Sequence, residues 1–484
     1  MGDASGQGAH TPHVQRHPDT GITAVIVGGG VGGIMTALEC WRKGIQVRIY
    51  ERSSKPETQG DFFSIGPSAC RAFEHWPVAK EEHEAASYDF CLSYHKQNGE
   101  HIYGPVSLSA FTTTDEVSES TTNTPRVHRH LRSKFQKVLL KQLNEIGVSI
   151  QYNHRAVKYD ETHDKAIVEF DNGVRVEADL VVAADGIGTK SFEVVTRKEV
   201  RARSSGYAMY RTAYPIEFAT ADPEVDSKFG LLPDGQSNSQ MWVGPDMHLF
   251  ISRTPDIFSW NMTHKDTSAN SAETWYGTHS KCTPADAIQF LATTLGSCPE
   301  ILRKVFNTTP EDHLVDWKLL WRDPESVWTS PKGRVIQLGD AAHTFVPSSG
   351  NGATQAIEDA MSLASCLEIG GKSNVPMALR VHNLLRAERV SCCQLVGFRN
   401  QANRHNTNWD LVLKNPQAIK ESYDLWLWAH DPEQYAYENY GLAAQHLITG
   451  APFKNTNVPP GYVYKAWNID ELLAKQEAGI PIEV

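Results

Sequence analysis

No stretch of these 484 residues approaches the ~18 consecutive apolar positions that a membrane-crossing helix needs, so no transmembrane segment is expected. The first 20 residues, rich in Gly, His, Thr and Pro, lack the apolar core of a secretory signal. Gly2 is followed by Gly6 where a myristoylation signal wants Ser or Thr, so residues 1–20 read as a disordered leader. Cysteine is sparse and scattered: eight residues, none in a Cys-x-x-Cys pair or at zinc spacing. Reduced thiols in a cytoplasmic protein are therefore expected, with no disulfide framework and no metal site. Positive charge is in deficit, 46 Lys and Arg against 57 Asp and Glu, and the net charge of -11 argues against a nucleic-acid partner. No internal repeat is visible. Apolar content of 40% and charged content of 21% fit an ordinary globular enzyme of two or three domains.

Three strand-like segments each end in residues suited to a ligand. The first spans residues 22–51, ITAVIVGGGVGGIMTALECWRKGIQVRIYE. A strand runs into Gly28-x-Gly30-x-x-Gly33, a helix follows, and a second strand ends at Glu51, 18 residues past Gly33. Such glycines allow a tight turn, close backbone approach to a pyrophosphate and close helix–strand packing, and the acid suits ribose hydroxyls. Because Glu51 would repel a 2′-phosphate, this site suits FAD or NAD rather than NADP. The second segment, ADLVVAADG, places Asp185 at a strand end. The third, RVIQLGDAAHTFVPSSGNGATQAIEDA, places Asp340 at another. Beyond Asp340 a loop with Pro347, Gly350 and Gly352 leads into a helix bearing Ala353 on its small-residue face, with Asn351 as a plausible N-cap. A carboxylate beside a helix N-terminus suits a flavin, whose ribityl chain and pyrimidine edge would meet them.

Long insertions separate these segments, so the expected fold is α/β: a Rossmann-like nucleotide domain built from residues 21–80, 123–200 and 330–400, carrying an inserted β-sheet domain. Residues 81–122 and 201–329 form that second domain, and 401–484 a C-terminal helical cap over it or over a partner subunit. The polar run TTTDEVSESTTNT reads as an exposed loop. Before the helix of residues 126–146, Arg129 and Arg132 are either a solvated helix start or a cationic contact to a phosphate or flavin edge. In GYAMYRTAYPIEF, alternation turns Tyr207, Met209 and Arg211 one way and Ala208, Tyr210 and Thr212 the other. Core packing is the plainer reading for Met209 and Trp242. Arg211 differs, since an arginine central to an apolar strand must be paired.

The glycine fingerprint, ADG and GDAAH…P…GNGA…IEDA together resemble the single-component FAD-dependent aromatic monooxygenases with the para-hydroxybenzoate hydroxylase fold. The resemblance is nearer to salicylate hydroxylase-like fungal enzymes of natural-product pathways. It implies FAD between two domains, with Gly28, Gly30 and Gly33 on its pyrophosphate and Glu51 on its adenosine ribose. It further implies Arg132 near FAD (Arg129 being the competing choice), Asp185 in the Asp-Gly motif linked to FAD and NAD(P)H, and Asp340 on the ribityl chain. Pro347, Gly350, Gly352 and Ala353 would border the isoalloxazine. Tyr207, Met209, Trp242 and His248 are the substrate candidates and Arg211 the catalytic one. The chain departs from the family at Gly188 and Thr189, where Arg and Ser are frequent, and at Ser68, where Asn is frequent. In relatives that hydroxylate phenols a Tyr or His often meets the substrate hydroxyl, and the matching strand here offers His248, Ser252 and Arg253 with no tyrosine. The implied reaction uses NADPH or NADH and oxygen to hydroxylate or epoxidise an aromatic small molecule (phenol, indole or polyketide) in a monomer or homodimer. Oxidative rearrangement or ring expansion on the same scaffold is the alternative. A flavin halogenase fits less well, since the Trp426-Leu427-Trp428 triplet lies late and continues Ala-His, and a non-catalytic FAD binder is the remaining reading.

Overall fold

A computed structural model describes residues 14–56, 60–107, 126–198, 200–266, 279–311, 313–419 and 425–484. Its first sheet has five parallel strands in the order Val335–Gln337, Leu180–Ala183, Thr23–Val27, Gln46–Tyr50, Ile150–Gln151. The central strands are apolar throughout because both faces are covered. Ala24, Ile26, Leu180 and Val182 join one core with the helices Val31–Arg42 and Gly352–Gly370. Val25, Val27, Val181 and Ala183 point the other way, onto a three-stranded antiparallel sheet of residues 156–178 through Tyr159, Val168 and Phe170. The Asn172-Gly173 pair turns that sheet's second hairpin, with Gly173 at φ 83°.

The second sheet has eight strands, in the order His279–Lys281, Val315–Trp321, Arg203–Pro215, Ile257–Lys265, Met247–Arg253, Ser237–Gly244, Phe90–Lys96, His101–Ser107. Its outer face is sealed by the helices Pro284–Leu295 and Glu300–Asn307, through Leu291, Leu302, Val305 and Phe306. The 31-residue helix Val375–His405 joins the two halves. Leu379 and Leu385 lie in the nucleotide-side core, while His405 reaches His248 of the eight-stranded sheet.

Several expectations change. Residues 1–13 and the TTTDEVSESTTNT run lie outside the described residues, but residues 14–20 are not a loose leader. The His17 N–H donates to the Arg42 carbonyl (2.7 Å) and the Thr20 N–H to that of Gly44 (3.0 Å). The helix Pro77–Ala86 crosses the expected boundary at residue 80 and packs on the nucleotide side, where the Ala79 N–H donates to Gln142. The aromatic helix Pro432–Thr449 does not cover the substrate sheet. It packs on Gly352–Gly370, because Arg42 and Lys43 are buried at the end of the first helix and need its Glu433, whose carboxylate lies 2.5 Å from Lys43 Nζ. Among the described residues no helix is long and apolar enough to cross a membrane.

Candidate active site

All three strand-end motifs meet at the carboxyl edge of the five-stranded sheet. Gly28 has φ 116°, and a Cβ there would lie 2.2 Å from the Ala184 carbonyl oxygen; one at Gly33 would lie 2.0 Å from that of Gly28. Those two glycines hold the turn together. A Cβ at Gly30 would meet nothing within 4 Å, so that glycine leaves room for a ligand beside the helix start. The helix Val31–Arg42 begins there without a side-chain cap, leaving N–H groups for an anion. Glu51 accepts from the Gly29 N–H (2.7 Å) and the Ser53 N–H (2.8 Å), which fixes its carboxylate beside the loop.

Asp185 accepts from the Tyr159 hydroxyl at 2.6 Å through one oxygen, while its other, buried oxygen has no hydrogen-bond partner. Burial raises its carboxyl, opposed by Tyr159 and Thr189. Beside it a recess of about 250 Å³ is lined by Gly188, Thr189, Lys190, Phe192, Arg201 and Arg322 among others.

The third motif shows how its pieces divide the labour. Between Leu338 and Thr354 only Asp340, Pro347 and Gly350 are exposed; the rest are buried or half-buried. These three are among the positions expected to meet the flavin. Asp340 is accessible yet surrounded by protein, as on the wall of a cleft; burial raises its carboxyl, and His343 and Arg132 pull it down. Asn351 sits at the N-cap but does not cap: its amide donates to the Ser349 carbonyl (2.9 Å), so the first turn's N–H groups remain for a ligand.

Beneath this loop lies a charge network that sequence reasoning missed. Glu358, fully buried, accepts from Arg386 (2.6 Å), Arg389 (2.8 and 2.9 Å) and Ser68 (2.6 Å). Asp359 accepts from Arg386 (2.8 Å), the Gly339 N–H (3.2 Å) and the His343 ring (2.6 Å). The acids of IEDA therefore hold the GDAAH turn in place from below. Their signal in the sequence was two adjacent carboxylates on the apolar side of a helix, which must be paired.

Arg129 and Arg132 separate. Arg132 opens the helix Arg132–Glu145, is exposed, and stands next to Gly60, where a Cβ would lie 3.0 Å from its own. Arg129 is turned inward between the rings of Phe62 (5.4 Å) and Phe250 (4.5 Å), and burial pushes its guanidinium down to about 10 against the pull of Asp61.

On the substrate sheet, pairing aligns Arg211, Asn261, Phe250 and Met241 in one row and Met209, Thr263, His248 and Val243 in the next, all facing the nucleotide half. Arg211 donates to Asp61 and lies 5.1 Å over the Trp317 ring. Asp61 belongs to the loop before Phe62–Ile65, and its carbonyl accepts from the Arg132 N–H at 3.1 Å. Tyr207 and Met209 cluster with Leu319, Trp317 and Leu473 of the C-terminal helix Ile469–Glu477. His248 Nε2 accepts from Arg404 (3.3 Å), so its Nδ1–H donates to His405 (2.9 Å). Trp242 is a correction. It is fully buried on the opposite face, donates to Gln240 (3.1 Å), and packs among Leu249, Met262 and Tyr210, away from Arg211. Phe250, Asn261 and Met241 take the place expected for it.

The uncapped helix starts, open glycine positions, placed carboxylates and exposed loop points fit an extended dinucleotide ending in a flat ring. Residues 21–371 match the FAD binding domain family, and the chain belongs to it. It is 40% identical over 475 residues to the FAD-dependent monooxygenase fsr3 of Gibberella fujikuroi, covering 97% of this chain and 90% of that one. It is also 40% identical, over 474 residues, to the FAD-dependent monooxygenase dmxR9 of a Cryptosporiopsis species, with the same coverage. The crystal structure of CtdE in complex with FAD and substrate 4 superposes with a TM-score of 0.76 at 27% identity, covering 88% of this chain and 100% of that one. The protein is an FAD-dependent monooxygenase with FAD as its cofactor.

Proposed function

We propose that this enzyme uses NADPH or NADH and molecular oxygen to hydroxylate or epoxidise an electron-rich aromatic small molecule, in the cytoplasm and in a secondary-metabolite pathway. When bound, FAD takes electrons from the nicotinamide and passes one oxygen atom to the organic substrate. The chain's residues hold and shield it. Gly28, Gly30, Gly33 and the first helix start would receive the pyrophosphate, and Glu51 the adenosine ribose. Asp340 and Arg132 would receive the ribityl side, and Pro347, Gly350, Gly352 and Ala353 the ring edge. Lys190, Arg201 and Arg322 around the recess suit the phosphates of the nicotinamide co-substrate.

The observation that carries the substrate class is the inward row of the eight-stranded sheet. Met209, Met241 and Phe250 are each at most 8% exposed and form an apolar wall for a flat ring, with Asn261 and Thr263 as its polar points. His248 has both ring nitrogens engaged, so it is not available as a base for a phenol. The wall's work is to orient the ring and keep water out. The test is consumption of NADPH, NADH and oxygen by the FAD-loaded enzyme across phenols, indoles and polyketide aromatics, with product analysis. Substrate-stimulated oxidation and an oxygenated product are expected. A protein that holds FAD yet shows no stimulation with any aromatic ligand overturns the reading.

A further inference from the structure

Outside the flavin site, a thiol and three imidazoles gather from three elements. Cys70 ends the helix Pro67–Cys70, His83 lies in Pro77–Ala86, and His128 and His130 stand two apart on the strand His128–Leu131. One ligand atom each from Cys70, His83 and His128 lies within 4.8 Å of the others, and Cys70 Sγ is 3.8 Å from His83 Nε2. A tetrahedral zinc site, with Zn–S near 2.3 Å and Zn–N near 2.0 Å, sets its ligand atoms roughly 3.3–3.6 Å apart. The triangle is thus within about 1.5 Å of coordination spacing. His130, on the same strand face as His128, has its ring centroid 4.7 Å from that of His83 and lies beside the triangle rather than within it.

Stacked histidine packing alone would account for the rings, since Phe73 lies 4.4 Å from His83 and Phe135 4.8 Å from His130. It does not account for the nitrogens. His83 is 2% exposed, and its Nδ1, like that of His128, is buried without a hydrogen-bond partner. A buried imidazole nitrogen left without a partner is one that a Lewis-acidic cation satisfies when the ring's proton sits on its other nitrogen. Cys70 is half-buried, which leaves a way in from solvent.

We propose that Cys70, His83 and His128 bind a divalent cation of the zinc class, its fourth position taken by water or by a turn of the neighbouring His130. On binding, the Cys70 thiol loses its proton to water and the thiolate sulfur donates to the metal; nothing is oxidised or reduced. Such a site pins two helices to the strand that pairs with Phe62–Ile65 and continues into Arg132. It therefore braces the loop carrying Asp61. The sequence hid it because Cys70, His83 and His128 are spread over 59 positions in neither common zinc spacing.

The experiment uses FAD-loaded enzyme dialysed against chelator, then titrated with Zn²⁺ or Co²⁺ alone. One equivalent is expected to bind, with Co²⁺ giving intense tetrahedral bands to the red of flavin absorption. Cys70→Ser and, separately, His128→Gln are expected to keep FAD and weaken metal binding at least tenfold. Absence of stoichiometric binding overturns the proposal. So does unchanged affinity in a folded, flavin-loaded variant of either kind.

Discussion

The Arg211–Asp61 pair joins the eight-stranded sheet to the loop before Phe62–Ile65, and a double-mutant cycle measures what it does. The side chains are 21% and 11% exposed. Removing one partner of a fully buried pair costs about 3–5 kcal/mol and an exposed pair is worth about 0–1, so a pair this shielded should cost about 2–3 kcal/mol when either half is lost. Arg211→Ala should cost about 0.5–1 kcal/mol more than Asp61→Ala, because it also removes the cation over Trp317. The double variant should lose little beyond the worse single, giving a coupling close to the smaller single cost, about 2–3 kcal/mol. Urea unfolding followed by release of flavin fluorescence reads the stability arm. Product formed per NADPH consumed reads the functional arm. Since Asp61 also fixes Arg132 through its carbonyl, both singles should uncouple oxidation from product alike. If Arg211 instead serves the substrate directly, Asp61→Asn keeps product yield while Arg211→Ala loses it. Additive stabilities with full coupling in both singles refute the role of the pair altogether.

Arg132→Ala should weaken FAD binding about tenfold with little change in thermal stability, because Arg132 is exposed beside Asp340 and supports no core. Arg129→Ala should instead lower stability by about 2–3 kcal/mol, since its guanidinium fills the space between Phe62 and Phe250; flavin titration and thermal melts of both variants separate the two. Burial alone would raise Glu358 and Asp359, yet Arg389 and Arg386 hold the first, and His343 and Arg386 the second, below the usual carboxylate range. Their contribution is therefore complete above the unfolded value near pH 4 and is lost as pH falls below it, so acid titration should release flavin and unfold the protein from about pH 4 downward. Glu358→Gln should already be destabilised by about 3–5 kcal/mol at pH 7 and show a shallower acid dependence.

Much of the nucleotide half was legible because its information is local. Gly28, Gly30, Gly33 and Glu51 sit in one strand–helix–strand unit, and their spacing alone carries the geometry. Asp185 and Asp340 were readable as strand ends for the same reason. Within one strand alternation also sufficed: Tyr207, Met209 and Arg211 do share a face. Between strands it did not. By sequence Trp242 is a substrate candidate with core packing as its plainer reading, and the core reading holds, because the phase of one strand against another is set by pairing register. Here Trp242 pairs with Leu249, which pairs with Met262, which pairs with Tyr210, and that row closes against helices. A slip of one residue would have exchanged it for Met241.

What sequence could not supply was the partner of each buried charge. Arg211 plainly required one, yet Asp61 lies 150 residues away, and no spacing rule links them. The same holds beneath the loop of residues 339–351, where Arg386 and Arg389 reach across from another helix to Glu358 and Asp359. This changes what the IEDA segment means. Its acids are too deeply buried and too fully paired to touch a cofactor; their hydrogen bonds to the Gly339 N–H, Ser68 and His343 instead set the height of the turn above them. Because the turn is held from below, Asp340, Pro347 and Gly350 alone break the surface along that stretch. The residues proposed to meet the flavin are thus exposed as a consequence of others being buried, and a substitution at Glu358 or Asp359 should act on flavin binding through the turn above them.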